Sequence, residues 1–150
     1  MEALRGKLSP KELKTADIKH GQQLFLKTCG VCHRLYGEGA SIGPDLTGSG
    51  RKDLGYLLEN ILDPNAVVAA DYKMSIIDLK DGRVLTGIIG EKREHTISVQ
   101  TLNEKLTIER SEIEKVQPSS LSLMPEGLLE TLNDDEKCDL IGYLMTPSQP

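Results

Sequence analysis

The stretch Cys29-Gly30-Val31-Cys32-His33 constrains this chain more than any other. Two cysteines three positions apart, followed directly by histidine, have the spacing of a c-type haem attachment site. On one helical turn both sulfurs can reach the two vinyl groups of a porphyrin and form thioethers. His33 then falls beneath the iron and offers an imidazole nitrogen as axial ligand. Two other chemistries use a CxxC pair. A thioredoxin-like dithiol wants a strand before the pair, whereas residues 17–28 read as helix. A zinc site needs two more ligands at regular spacing, and Cys138, His20 and His95 are scattered.

The composition agrees with a cofactor-dependent core. The chain has 150 residues, no Trp and one Phe, so a porphyrin would supply aromatic bulk that the side chains lack. A net charge of −5 without a basic run argues against nucleic acid as a partner. No apolar run approaches the length that spans a bilayer. Residues 1–9 lack the apolar stretch of a signal peptide, although covalent haem attachment normally happens outside the cytoplasm. The expectation is a mature form, or an excised domain of a longer exported protein, located in the periplasm or an equivalent compartment.

Residues 1–14 read as a polar lead-in. A first helix is expected from about Asp17, its N-cap, to Thr28, with Ile18, Gly21, Leu24 and Phe25 on one face. Glycine costs about 1 kcal/mol inside a helix, so Gly21 suggests a close helix crossing. A Gly-rich loop follows from Tyr36 to Gly50 and contains Gly43-Pro44-Asp45-Leu46. An axial histidine usually donates its second ring N–H to a carbonyl, and Pro44 is the candidate acceptor. Leu46 would pack on the haem face. A second helix is expected over Arg51–Leu62 and ends at Asp63-Pro64-Asn65. From about Tyr72 to Val116 the pattern turns to alternation, with Asp81-Gly82 as a hairpin signal. An antiparallel meander or small barrel is expected there. Helix should return after Pro118, first briefly from Met124, then from Asp134 to Met145 behind an Asn133–Glu136 capping box. Cys138 on that helix reads as a small buried residue.

The sixth iron position has several contenders. Met1 is terminal, Met74 lies in an expected strand and Met145 ends the last helix. Met124 precedes Pro125, where backbone is biased to extended forms, so its thioether could reach a cofactor without breaking a helix. His20, His95, another Met or an open site remain alternatives to Met124.

These residues resemble the class I cytochrome c family over 17–63 and 118–146. Gly21 and Phe25 are similar to its first helix, Gly43-Pro44-Asp45-Leu46 to its Gly-Pro-x-Leu loop, and residues 139–144 to its terminal helix. The resemblance implies haem c bound by Cys29, Cys32, His33, Pro44, Leu46 and Met124, with His33 and Met124 on the iron. It also implies that Arg51 meets a propionate. The long β-rich gap between His33 and Met124 departs from the family's usual spacing. More narrowly, the pattern is similar to bacterial haem-binding domains that are often fused to dehydrogenase-like proteins. The resulting expectation is one domain over 1–150, a mainly α cytochrome c fold with an inserted β module, α+β overall. Helical haem-binding parts cover 15–69 and 118–146, and the insertion covers 70–117, as a docking surface or lid.

The function implied is electron transfer to a redox partner protein or a fused dehydrogenase domain, not independent catalysis. No nucleophilic triad, paired-acid set or nucleotide loop accompanies the motif. Two alternatives are a haem-based ligand sensor with an open or displaceable sixth site, and an interaction domain stapled by haem.

Overall fold

A computed structural model describes the backbone of residues 2–150 and the side chains from Leu4 onward. The chain divides into two compact units. One holds the residues up to Asp63 together with Glu126–Pro150; the other holds Pro64–Pro125. Among the described residues there are five helices and two antiparallel sheets, one of two strands and one of five. The fold is therefore α+β. The expectation of a mainly α chain is corrected, because five strands fill the second unit.

The first unit begins with two short helices, α1 (Glu2–Lys7) and α2 (Pro10–Leu13), within what the sequence reads as a polar lead-in. Local chemistry explains α2. Pro10 occupies its first turn, where a missing N–H costs nothing, and Ser9 Oγ accepts the Glu12 amide. Leu8, between the helices, is 1% exposed. Burial of that one side chain is a tertiary event that polarity averaged over the segment conceals.

Helix α3 (Ile18–Thr28) starts at Asp17, whose carboxylate accepts the His20 amide. It buries Gly21, Leu24 and Phe25. Helix α5 (Asp134–Leu144) starts with a complete Asn133–Glu136 capping box. The two cross at Gly21. A Cβ there would sit 2.8 Å from the Tyr143 Cβ and run into the Asp139 carbonyl, so only glycine lets the backbones approach. Phe25 and Tyr143 rings pack 5.7 Å apart beside the crossing. Cys138 is buried on α5 and its thiol donates to the Glu12 carbonyl in α2.

Two short strands, β1 (Arg34–Leu35) and β2 (Glu38–Gly39), form a hairpin directly after the CxxCH stretch. Its two central residues, Tyr36 and Gly37, both have positive φ, 53° and 80°. That is the requirement of a tight hairpin turn matched to strand twist. Helix α4 (Leu54–Leu62) begins at Leu54, not at Arg51 as expected. The Asp53 carboxylate accepts the Gly55 and Tyr56 amides and sets that start. Arg51 consequently lies in the turn before the helix.

The second unit contains β3 (Lys73–Leu79), β4 (Val84–Lys92), β5 (Thr96–Gln100), β6 (Lys105–Glu109) and β7 (Ile113–Ser122). Their order is β6-β5-β4-β3-β7, with every neighbour antiparallel. The β3–β4 turn carries Gly82 at φ 93°, and Asp81 accepts the Arg83 amide. Ile77, Leu79, Ile97, Val99 and Ile108 form the buried core. Strand β7 continues through Pro118 to Ser122, where a return to helix was expected. It is an edge strand, which tolerates a residue without an N–H. The short helix expected from Met124 is also replaced: turns occupy residues 126–131, with Gly127 at φ 78°. No helix among the described residues is long and apolar enough to cross a membrane.

Candidate haem-attachment site

Helix α3 delivers the motif at its own end. Cys29 is the C-cap, and both its amide and that of Gly30 donate to the Phe25 carbonyl at 2.7 Å. A Cβ on Gly30 would approach Leu26 Cα to 2.8 Å, so this tight exit needs glycine. The Cys29 carbonyl then accepts the amides of Cys32 at 3.1 Å and His33 at 2.8 Å. These bonds close a turn that carries His33 round from the helix end. The following loop is tied back to it: Ala40 N–H donates to Gly30 O, and Gly43 N–H to Cys32 O.

His33 is oriented from its other side by the proline loop. Its Nδ1 lies 2.8 Å from the Pro44 carbonyl. A carbonyl only accepts, so Nδ1 carries the proton and the Nε2 lone pair is left for a metal. Gly43 passes so close to the ring that a Cβ would lie 2.8 Å from Cε1 and 2.9 Å from Nδ1. The loop is braced locally. Asp45 Oδ1 accepts the Thr47 amide at 2.9 Å and its hydroxyl at 2.7 Å, and these bonds hold the Asp45 carboxyl below the usual range. Leu46 is half-buried, and its amide donates to Arg34 O at 2.8 Å.

The sulfurs are kept as thiols. Burial, with Cys32 nearby, pushes the Cys29 thiol up to about 12, and burial also raises Cys32. The described residues do not bring together three or more His, Cys, Asp or Glu able to hold a metal ion. Two thiols and one imidazole lone pair suit a metal that arrives with its own macrocycle. A thiol adding its S–H across a vinyl group gives a thioether with nothing left over. The residues therefore fit haem c.

The family model of cytochrome c matches residues 18–76, from the first residue of α3 into β3. Over those residues the chain is similar to cytochrome c. The cytochrome c family implies covalently attached haem c, and its members serve as electron carriers. No curated protein matches the chain.

Other residues singled out in the sequence fall in different places. Arg51 is in the first unit and only 3% exposed. Its Nε donates to Thr47 O at 3.2 Å; its Nη1 donates to Leu144 O at 3.0 Å and to the Thr146 carbonyl. His20 Nδ1 lies 2.8 Å from Asp139 Oδ2, and that partner raises its pKa. Met145 caps α5. In the second unit, Met74 lies in β3 and His95 is exposed between β4 and β5. Met124 is half-buried just before Pro125, with its amide donating to Ser122 Oγ at 3.1 Å. Met1 lies outside the described residues.

Sequence reasoning passed over Tyr36. Its hydroxyl lies 2.8 Å from Thr146 O and 2.7 Å from Thr146 Oγ1. The Arg51 guanidinium stacks over its ring, 5.0 Å from the centroid. The one local signal was the dipeptide Tyr36-Gly37 at the start of the Gly-rich loop. Nothing in the spacing tied it to Thr146.

Proposed function

We propose that this domain is a single-haem electron carrier, with Cys29 and Cys32 as thioether anchors and with His33 and Met124 as axial ligands. The observation that carries the reading is the His33 Nδ1–Pro44 carbonyl bond. It fixes the tautomer, aims Nε2 and raises the basicity of the imidazole. Leu46 covers one face of the site. Bound haem supplies one-electron redox chemistry, and the protein's work is burial, orientation and docking. A methionine sulfur as sixth ligand favours a higher reduction potential. We read the sheet-forming stretch as an insertion into one cytochrome c domain.

The partner is a redox protein, or a dehydrogenase domain fused to this one, in the periplasm or a similar exported compartment. Val31, between the cysteines, is 59% exposed. An apolar side chain there suits a small, transient contact close to the attachment site.

Absorption spectra of oxidised wild type and Met124→Ala test the ligand set. The weak sulfur-to-iron band in the red should be present in wild type and absent in the variant. Its persistence in Met124→Ala removes Met124 from the iron. Reduced wild type should react slowly and incompletely with carbon monoxide; a fast, complete change would favour the ligand-sensor alternative.

A further inference from the structure

Helix α5 has three acidic residues in its first turn and no basic residue in its last. The negative end of its dipole and its last carbonyls therefore lack a cation from the helix itself. Arg51 supplies one from elsewhere in the chain, donating to Leu144 O and to the Thr146 carbonyl. The Tyr36 hydroxyl meets Thr146 beside it. The Thr146 hydroxyl donates to Tyr143 O at 2.7 Å, so the Tyr36 proton is the one available for Thr146. Arg51 thus acts as a tertiary C-cap, stacked on Tyr36.

The same guanidinium holds the proline loop. Its Nε donates to Thr47 O. Thr47 donates twice to Asp45, and the Thr47 hydroxyl oxygen accepts the Tyr36 amide at 3.0 Å. Asp45 follows Pro44, whose carbonyl takes the His33 proton. An unbroken run of hydrogen bonds and one peptide link therefore joins the end of α5 to the proposed iron ligand.

We propose that Arg51, with Tyr36 and Thr47, is a positioning group that sets the His33–Pro44 bond and so tunes the axial imidazole. This rests on His33 being the ligand. It gives the Nε and Nη1 donors of Arg51 a role in the backbone beside the propionate contact that the resemblance implies. Loosening the loop weakens the pull on the His33 proton, lowers imidazole basicity and raises the reduction potential.

The test uses the haem-loaded protein and two variants. Arg51→Lys keeps the charge and loses the planar fork. Tyr36→Phe keeps the stacked ring and loses only the hydroxyl. The readouts are proton NMR of His33 Nδ1–H and the midpoint potential. In oxidised wild type that proton should be strongly shifted by the iron. Its exchange with solvent should quicken by up to about tenfold in Arg51→Lys, the worth of one hydrogen bond, by less in Tyr36→Phe, and both potentials should rise. Unchanged exchange and potential in folded variants would reduce the clamp to a structural cap. A shift confined to Arg51→Lys, with Tyr36→Phe silent, would overturn the clamp and leave Arg51 acting through a propionate alone. Should Arg51→Lys not fold, Tyr36→Phe decides alone. An unshifted His33 proton in wild type would instead sink the ligation reading, and the proposal with it.

Discussion

The two units of this chain solve the problem of a small core in different ways. The sheet unit is held by aliphatic side chains. Ile77, Leu79, Ile97, Val99 and Ile108 form its buried core, and strand pairing satisfies much of its backbone. The helical unit buries apolar side chains too, Phe25, Leu58, Leu140 and Ile141 among them, and adds polar side chains that reach backbone and carboxylates elsewhere in the chain. His33 meets Pro44, Arg51 and Tyr36 meet Thr146, and Asp139 bridges His20 and the Asp17 amide. A unit that must leave one imidazole nitrogen free and correctly aimed cannot depend on packing alone, because packing is insensitive to tautomer. Directional bonds to carbonyls supply that control.

The contrast makes three stability predictions, taken here in order of size. Ile77→Ala removes a fully buried side chain from the sheet core, and should cost about 3–4 kcal/mol. Denaturant unfolding, with amide exchange of β3, β5 and β6, measures it. A cost under about 1 kcal/mol would mean that aliphatic packing does not hold this unit. Gly21→Val should cost about 2–3 kcal/mol by forcing α3 and α5 apart. Loss of exchange protection in both helices would locate the damage at the crossing, and an undisturbed variant would contradict it.

The smallest effect concerns the half-exposed His20 on α3. Asp139 Oδ2 faces its ring, with Asp17 and Glu136 also contributing, and the folded pKa is raised. A raised histidine value stabilises most when the ring is protonated. The contribution is complete below about pH 6.5 and fades as pH climbs through the higher folded value. Stability followed between pH 5 and pH 9 should show a gentle decline, relative to Asp139→Asn, in the upper part of that range. Parallel curves for the two proteins would show that the pair does not couple to folding.

Much of the site was legible because its chemistry is local. The CxxCH spacing, the Asp17 and Asn133 caps and the Asp81-Gly82 turn each depend on residues within a few positions of one another. Pro44 could be singled out because an axial histidine needs a carbonyl and a proline loop lies close in sequence. The start of α4 was misplaced because Arg51 extends an apparent helical pattern, while Asp53 holds the amides that define the first turn. Strand β7 was cut short because proline usually ends a strand, and only its edge position makes Pro118 acceptable.

The amino-acid sequence by itself determined the cofactor chemistry and the local devices that present it. Thiols, imidazole, caps and turns act over one or two turns of chain. Tertiary structure alone decided what Arg51, Tyr36, His20 and Leu8 do. Three of them act through partners far along the chain, and Leu8 through burial. Backbone carbonyls are common to every residue and leave no mark in a sequence. Which carbonyl an arginine finds is settled only when helix ends and loops meet in space.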